Sequence, residues 1–242
     1  MKQFLTYLFI ALFAISAVSC KKDKDENENG KVQLIKTMTF YDNDNSELST
    51  YHYEYDDKDR LTSLSVHDEF IFNIMYSGDD EDIIFIQGQR IDCSKNGNLI
   101  SVDGGSFNGT IELNSDGYPI VLNYVGIYYP NPPFCYQYFD KNIEYVSSSG
   151  GGYCHFKFDN KKSPLYYCQT PIWIYLLMNP SITNMIVPTF GFSNNAIYLK
   201  SHTIKDELVE TTDIFSFTYE YDNNCFPTKM YWDGKLYATF TY

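Results

Sequence analysis

The chain reads as an all-β protein: a large curved antiparallel meander, an open or half barrel, with one short helical insertion. Three observations predict this. Aromatic residues make up 18% of the 242 positions, with 23 tyrosines and 18 phenylalanines. Tyrosine outnumbers leucine, and flat rings suit the half-buried face of a pleated sheet. Short runs such as Lys36 to Tyr41, Phe70 to Tyr76, Asp82 to Gln87 and Ala196 to Thr203 alternate or are rich in β-formers. Finally, a strand–turn–strand pattern recurs along the chain.

The clearest copy of that pattern is Tyr53-Glu54-Tyr55-Asp56-Asp57-Lys58-Asp59-Arg60-Leu61, matched near the C-terminus by Tyr219-Glu220-Tyr221-Asp222-Asn223-Asn224-Cys225-Phe226-Pro227. Weaker copies run from Ile111 to Pro119, Phe156 to Pro164 and Ile91 to Leu99. Alternation at period two puts Tyr53 and Tyr55 on one face of a strand. The Asp, Asn or Ser that follows can bond backbone two residues on and start a tight turn. A turn residue in the fourth loop position suits the left-handed conformation of a hairpin bulge. Their uneven spacing argues for a meander rather than a solenoid. The chain ends in one more strand, Lys235 to Tyr242, which pairs into the sheet.

These copies look like YD repeats. The ending from Tyr219 to Tyr242, with Phe226-Pro227-Thr228-Lys229 and Leu236-Tyr237-Ala238-Thr239, is similar to Bacteroidota lipoproteins of unknown function. The resemblance implies a large antiparallel sheet curled into an open or porin-like half barrel, and members of the group are thought of as lipid binders. It carries no catalytic signature.

The N-terminus supplies an address. Lys2 gives a positive start, Phe4 to Val18 is an almost unbroken apolar run, and Ala17-Val18-Ser19 precedes Cys20. That order is a secretory leader, residues 1–19, whose removal leaves cysteine first. Acylation of Cys20 at thiol and amine would hold the protein on a membrane, since each buried methylene contributes about 0.8 kcal/mol. Ala17 departs from the usual lipoprotein pattern, where leucine is commoner. A plain cleaved leader and an uncleaved anchor are the alternatives, the latter shorter than the roughly twenty residues a spanning helix needs. Residues 20–31 are charged and have nothing to bury, so they read as a disordered tether. Charges directly after Cys20 resemble a surface-export signal, which points to the outer membrane, on its outer or periplasmic face. Residues 32–242 then form a single β-sheet domain.

Composition narrows the partners. The formal charge is −13 and no basic stripe exists, so a phosphate backbone has nothing to bind it. Nucleic acid is excluded. Besides Cys20, the cysteines Cys93, Cys135, Cys154, Cys168 and Cys225 form an odd set without a C-x-x-C pair. Cys135, Cys154 and Cys168 lie in aromatic surroundings and read as small buried hydrophobes, with one disulfide among the three as the alternative.

An aromatic and proline-rich insertion around 125–190 breaks the strand pattern. Pro171 after Thr170 as N-cap starts a helix of about two turns with Trp173, Leu176 and Leu177 on one side, a plug or lid against the sheet. Several readings of this region stand. Trp173, Tyr175, Leu176 and Leu177 fill the concave face as core. Alternatively, together with Tyr128 and Tyr129, they hold a lipid or other apolar small molecule between sheet and lid. Exposed Tyr128, Tyr129 and Trp173 stacking on sugar rings would instead make a glycan-binding or adhesive module.

Chemistry finds no constellation. There is no G-x-S-x-G elbow, and Cys154 and His155 are adjacent on a strand and so face opposite ways. His52, His67, His155 and His202 lack ligand spacing. Acids such as Asp56-Asp57, Asp79-Asp80-Glu81 and Asp206-Glu207 fall at turns without the spacing of a calcium loop. The expectation is a non-enzymatic protein with no catalytic residue, metal or cofactor, bound to a membrane through Cys20.

Overall fold

The computed structural model describes residues 32–67, 69–77, 81–86, 88–104, 107–125, 133–149, 152–178, 193–205 and 208–242. Cys20, the leader and the tether lie outside them. Among these residues, sixteen strands run in chain order. The first eight are β1 (Thr37–Tyr41), β2 (Glu47–Tyr55), β3 (Leu61–Val66), β4 (Glu69–Tyr76), β5 (Glu81–Ile86), β6 (Gln89–Asn96), β7 (Leu99–Gly104) and β8 (Phe107–Leu113). Then come β9 (Pro119–Val125), β10 (Phe134–Phe139), β11 (Asn142–Ser148), β12 (Tyr153–Lys162), β13 (Asn194–Lys205), β14 (Leu208–Tyr221), β15 (Pro227–Trp232) and β16 (Lys235–Thr241). A helix, α1 (Ile172–Met178), interrupts the series between β12 and β13. The region around 125–190 thus holds three wall strands, and the interruption narrows to the connection after Lys162.

Each strand pairs antiparallel with the next, and β16 returns to pair with β1. The expected open or half barrel is therefore corrected to a closed one. The seam is zipped by Thr37 against Thr241 and Met38 against Phe240. Hydroxyls of Thr37 and Thr241 meet at 2.7 Å, and the Lys36 ammonium donates to the Tyr242 carbonyl at 2.8 Å. Closure has a physical reason. An open sheet would leave β1 and β16 with rows of unpaired N–H and C=O groups, and pairing them to each other removes both edges.

Up-and-down connectivity fixes two ends. The lower end carries the β2–β3, β8–β9 and β14–β15 turns, and the chain enters it at Val32 and leaves it at Tyr242. Three of the repeat copies form these turns in one geometry. Asp56, Asn114 and Asp222 each accept, through the side-chain oxygen, the N–H groups two and four residues on, at 2.9–3.0 Å. Their own carbonyls accept from Asp59, Gly117 and Cys225, which stand at φ 59°, 82° and 67°. The fourth loop position is left-handed in all three, as the pattern predicts.

The other two copies fold otherwise. In the Ile91 copy, strand β6 continues to Asn96 and turns on Gly97-Asn98. In the Phe156 copy no turn forms. Strand β12 runs through Asp159, and its register against β13 slips between Phe158 and Lys162.

The wall is apolar inside and polar outside. Met38, Ile84, Ile91, Ile100, Ile111 and Leu122 point inward and are fully buried. Their outward neighbours include Glu54, Asp92, Asp103, Glu112, Glu144 and Lys157, all exposed. A barrel crossing a bilayer shows the opposite pattern, and a charge on its lipid face costs about 2–4 kcal/mol near the midplane. The outer wall is not a hydrocarbon-facing surface. No helix among the described residues is long and apolar enough to cross a membrane.

Candidate functional site

A ring of sixteen strands encloses more space than its own side chains fill, so the filling is the first question. In α1, Trp173, Ile174, Tyr175, Leu176 and Leu177 are all buried, at 0–6% exposure. Successive helical residues point about 100° apart, so five buried in a row cover every side. The helix is enclosed rather than laid over the sheet with one face. Seven residues are too few for a helix to persist alone. Packing holds it, with each large side chain contributing about 1.5–3 kcal/mol on burial.

The connection leading to α1 crosses the barrel. It leaves β12 at Lys162 and reaches Leu61 in β3 and Tyr76 in β4, and β4 lies eight strands from β12 in either direction round the ring. Thr170, expected as an N-cap, is instead a cross-strut. Its oxygen accepts the Leu61 N–H at 2.6 Å and meets the Tyr76 hydroxyl at 3.3 Å. The Cys168 thiol lies 3.3 Å from the same oxygen and 3.0 Å from the Tyr175 hydroxyl. One residue earlier, the Gln169 N–H donates to the Asp59 carbonyl at 3.0 Å. Burial pushes the Tyr175 hydroxyl well above its usual pKa, with the neighbouring Cys168 adding to it. Pro171 does start the helix, its carbonyl accepting from Ile174 at 3.0 Å.

Of the residues predicted to hold a ligand, Trp173, Tyr175, Leu176 and Leu177 thus sit together inside the lower half of the barrel. Tyr128 and Tyr129 lie outside the described residues, and the strand ends that bracket them, Val125 and Phe134, are at the upper end. Cys135, Cys154 and Cys168 are free thiols, as expected, and no disulfide joins them; Cys154 is buried, as is Cys93, but Cys168 is only half-buried and Cys135 is exposed.

Two further groupings were not expected. At the lower rim Asp159 sits at the slipped register. One of its oxygens accepts the N–H groups of Lys161 and Asn195 at 2.9 and 3.1 Å, and the other accepts the Tyr221 hydroxyl. The Asn195 amide completes the set. Burial raises the Asp159 pKa, and the donors around it pull the other way. With its lone pairs engaged by the fold, this carboxyl is a structural acid rather than a base aimed at a substrate. Among the described residues no three His, Cys, Asp or Glu side chains gather as metal ligands.

The second grouping lines the inner side of the upper rim across β14, β15, β16, β1 and β2. Phe215 and Trp232 have centroids 5.4 Å apart, Trp232 and Tyr237 5.6 Å, Tyr237 and Phe40 5.3 Å, and Phe40 and Tyr51 5.4 Å. Phe40 is buried, while the other four are partly open to solvent. The Trp232 indole nitrogen is itself shielded from solvent and has no hydrogen-bond partner among the described residues. The signal was present in the sequence: Trp232 follows Met230 by two, so the inward face of β15 continues through it.

An outer stack is built differently. Tyr153 lies face to face with His202 at 4.3 Å and tilted against Tyr145 at 5.3 Å. Those rings cover one another and do not form a coplanar platform.

These features define a plugged, closed β-barrel with an apolar interior and an aromatic upper rim. No protein-family model matches the chain, and no curated protein matches it. Among solved structures it is similar to a porin-like protein from Bacteroides vulgatus ATCC 8482, at 12% identity over 87% of this chain and 98% of that one, with a TM-score of 0.42.

Proposed function

We propose that this is a non-enzymatic lipoprotein of the outer membrane, tethered through Cys20, whose upper rim binds a lipid or another apolar small molecule. The reading moves the ligand away from α1, which is occupied in filling the barrel. The observation that carries it is the Trp232 N–H, buried among Phe215 and Tyr237 without a partner among the described residues. A buried donor left unpaired costs about 1–3 kcal/mol. A ligand that lays hydrocarbon against these rings and offers one acceptor oxygen would both exclude water and relieve that cost. Fatty acids and other chain lipids with a carbonyl or carboxyl fit this description.

Oleate titration followed by tryptophan fluorescence tests the assignment. A saturable emission change is expected in the wild type and in Trp173→Phe, and its loss in Trp232→Phe. The absence of any saturable change in the wild type would overturn the apolar-ligand reading. A response to a soluble oligosaccharide instead of oleate would favour the glycan-binding alternative.

A further inference from the structure

We propose that the lower end of the barrel seats directly on a lipid surface, with Phe139, Tyr166, Leu99 and Val32 entering the interfacial layer. Among the described residues, large apolar side chains are exposed unevenly. Phe139 is 72% exposed, Val32 48%, Tyr166 43% and Leu99 41%, and all four stand on the lower rim. They are distributed around it rather than along one wall. Val32 leads into β1, Leu99 opens β7, Phe139 closes β10, and Tyr166 lies in the segment after β12. Met75 and Ile197 extend the apolar surface onto the lower wall through β4 and β13. Toward the upper end, Leu48 and Ile214 are the large exposed apolar side chains among the described residues.

The occupant follows from where the chain enters. Residues 1–31 join the barrel at Val32, so a lipid on Cys20 would bring this same end toward the bilayer. The inference rests on that anchoring for its direction, though not for its apolar surface. Aromatic rings and aliphatic side chains around one rim suit the boundary between headgroups and acyl chains. Lys141, exposed and two residues from Phe139, stands beside that ring in the manner of a side chain that reaches up to headgroups. Asp57, Asp116 and Asp140 share the rim and offset its charge. The attraction is therefore apolar, and the fitting surface is zwitterionic. With the lower end seated, the aromatic upper rim faces away from the membrane.

The test uses full-length acylated protein in phosphatidylcholine vesicles whose acyl chains carry bromine, a contact quencher of tryptophan. Phe139→Trp should lose at least half of its added emission relative to wild type, and Leu48→Trp should lose none. Flotation of wild type and Cys20→Ala with the same vesicles reads the anchor separately. Protein that floats while Phe139→Trp stays unquenched overturns the seating and leaves the anchor standing. Equal flotation of Cys20→Ala and wild type with Phe139→Trp quenched does the reverse. Protein that neither floats nor is quenched overturns both.

Discussion

The Thr170 hydroxyl accepts the backbone N–H of Leu61 at 2.6 Å, joining the segment before α1 to the first residue of β3. Both residues are buried, so water cannot replace the bond. Thr170→Val keeps the shape and removes the acceptor, stranding the Leu61 N–H at a cost of about 1–3 kcal/mol. Thr170→Ser should recover most of that. Urea unfolding checks it: the midpoint should fall for valine with the slope unchanged.

Asp159 sets a pH dependence with a definite sign. Burial raises its folded pKa above 3.8. An acid with a raised folded pKa binds more protons in the native state, so its contribution is complete below the unfolded pKa and is lost as pH rises through the folded one. Asp159→Asn removes this term. Its stability relative to wild type should therefore improve from pH 4 to pH 7, and it should lie within about 1 kcal/mol of wild type at neutral pH. Asp159→Ala leaves the Tyr221 hydroxyl and the Lys161 and Asn195 N–H groups without this acceptor and should cost about 1–3 kcal/mol throughout. Denaturant midpoints measured from pH 4 to 8 would show a flat difference if burial did not matter.

What the chain declares locally is what it builds locally. Asp56, Asn114 and Asp222 need only their next four residues to make a turn, so those turns were legible. Asp159 begins the same motif, yet Asn195 and Tyr221 from other strands take its oxygens and the turn never forms. Closure was illegible for a similar reason, because pairing Thr37 with Thr241 joins the two ends of the domain and no local pattern records it. The helix was found from Pro171 and its apolar residues. Its enclosure depends on the space left by sixteen strands, which periodicity does not measure. Trp232 continues the period-two alternation of Met230, but that alternation marks only the inward face and does not separate a rim position from the core.

Gly104 and Gly97 separate backbone strain from simple flexibility. Gly104 stands at φ 153°, and a Cβ there would lie 2.3 Å from the Arg90 carbonyl oxygen and 2.8 Å from the Ile91 Cα. Both obstacles are backbone in the neighbouring strand and cannot swing aside. Gly104→Ala should cost about 2–5 kcal/mol through strain and displacement of β6. Gly97 has φ 61° and open space around its Cβ position, so Gly97→Ala should cost about 1 kcal/mol, the left-handed penalty alone. Melting temperatures of the two variants should differ accordingly.

The enclosure of α1 makes a prediction that a lid could not share. A helix lying on a sheet buries one stripe, so alanine substitutions along it are harmful and harmless by turns, with a period near 3.6. Here five consecutive positions, Trp173 to Leu177, are buried, so no tolerant face exists. Alanine at Ile174, Leu176 or Leu177 should each cost about 2–5 kcal/mol, and at Trp173 or Tyr175 about 3–5, because each leaves a cavity that closed barrel walls cannot collapse to fill. Urea unfolding of the five variants gives the profile. An even run of losses supports a plug inside the barrel, whereas a periodic profile with one or two neutral positions would return α1 to the surface of the sheet.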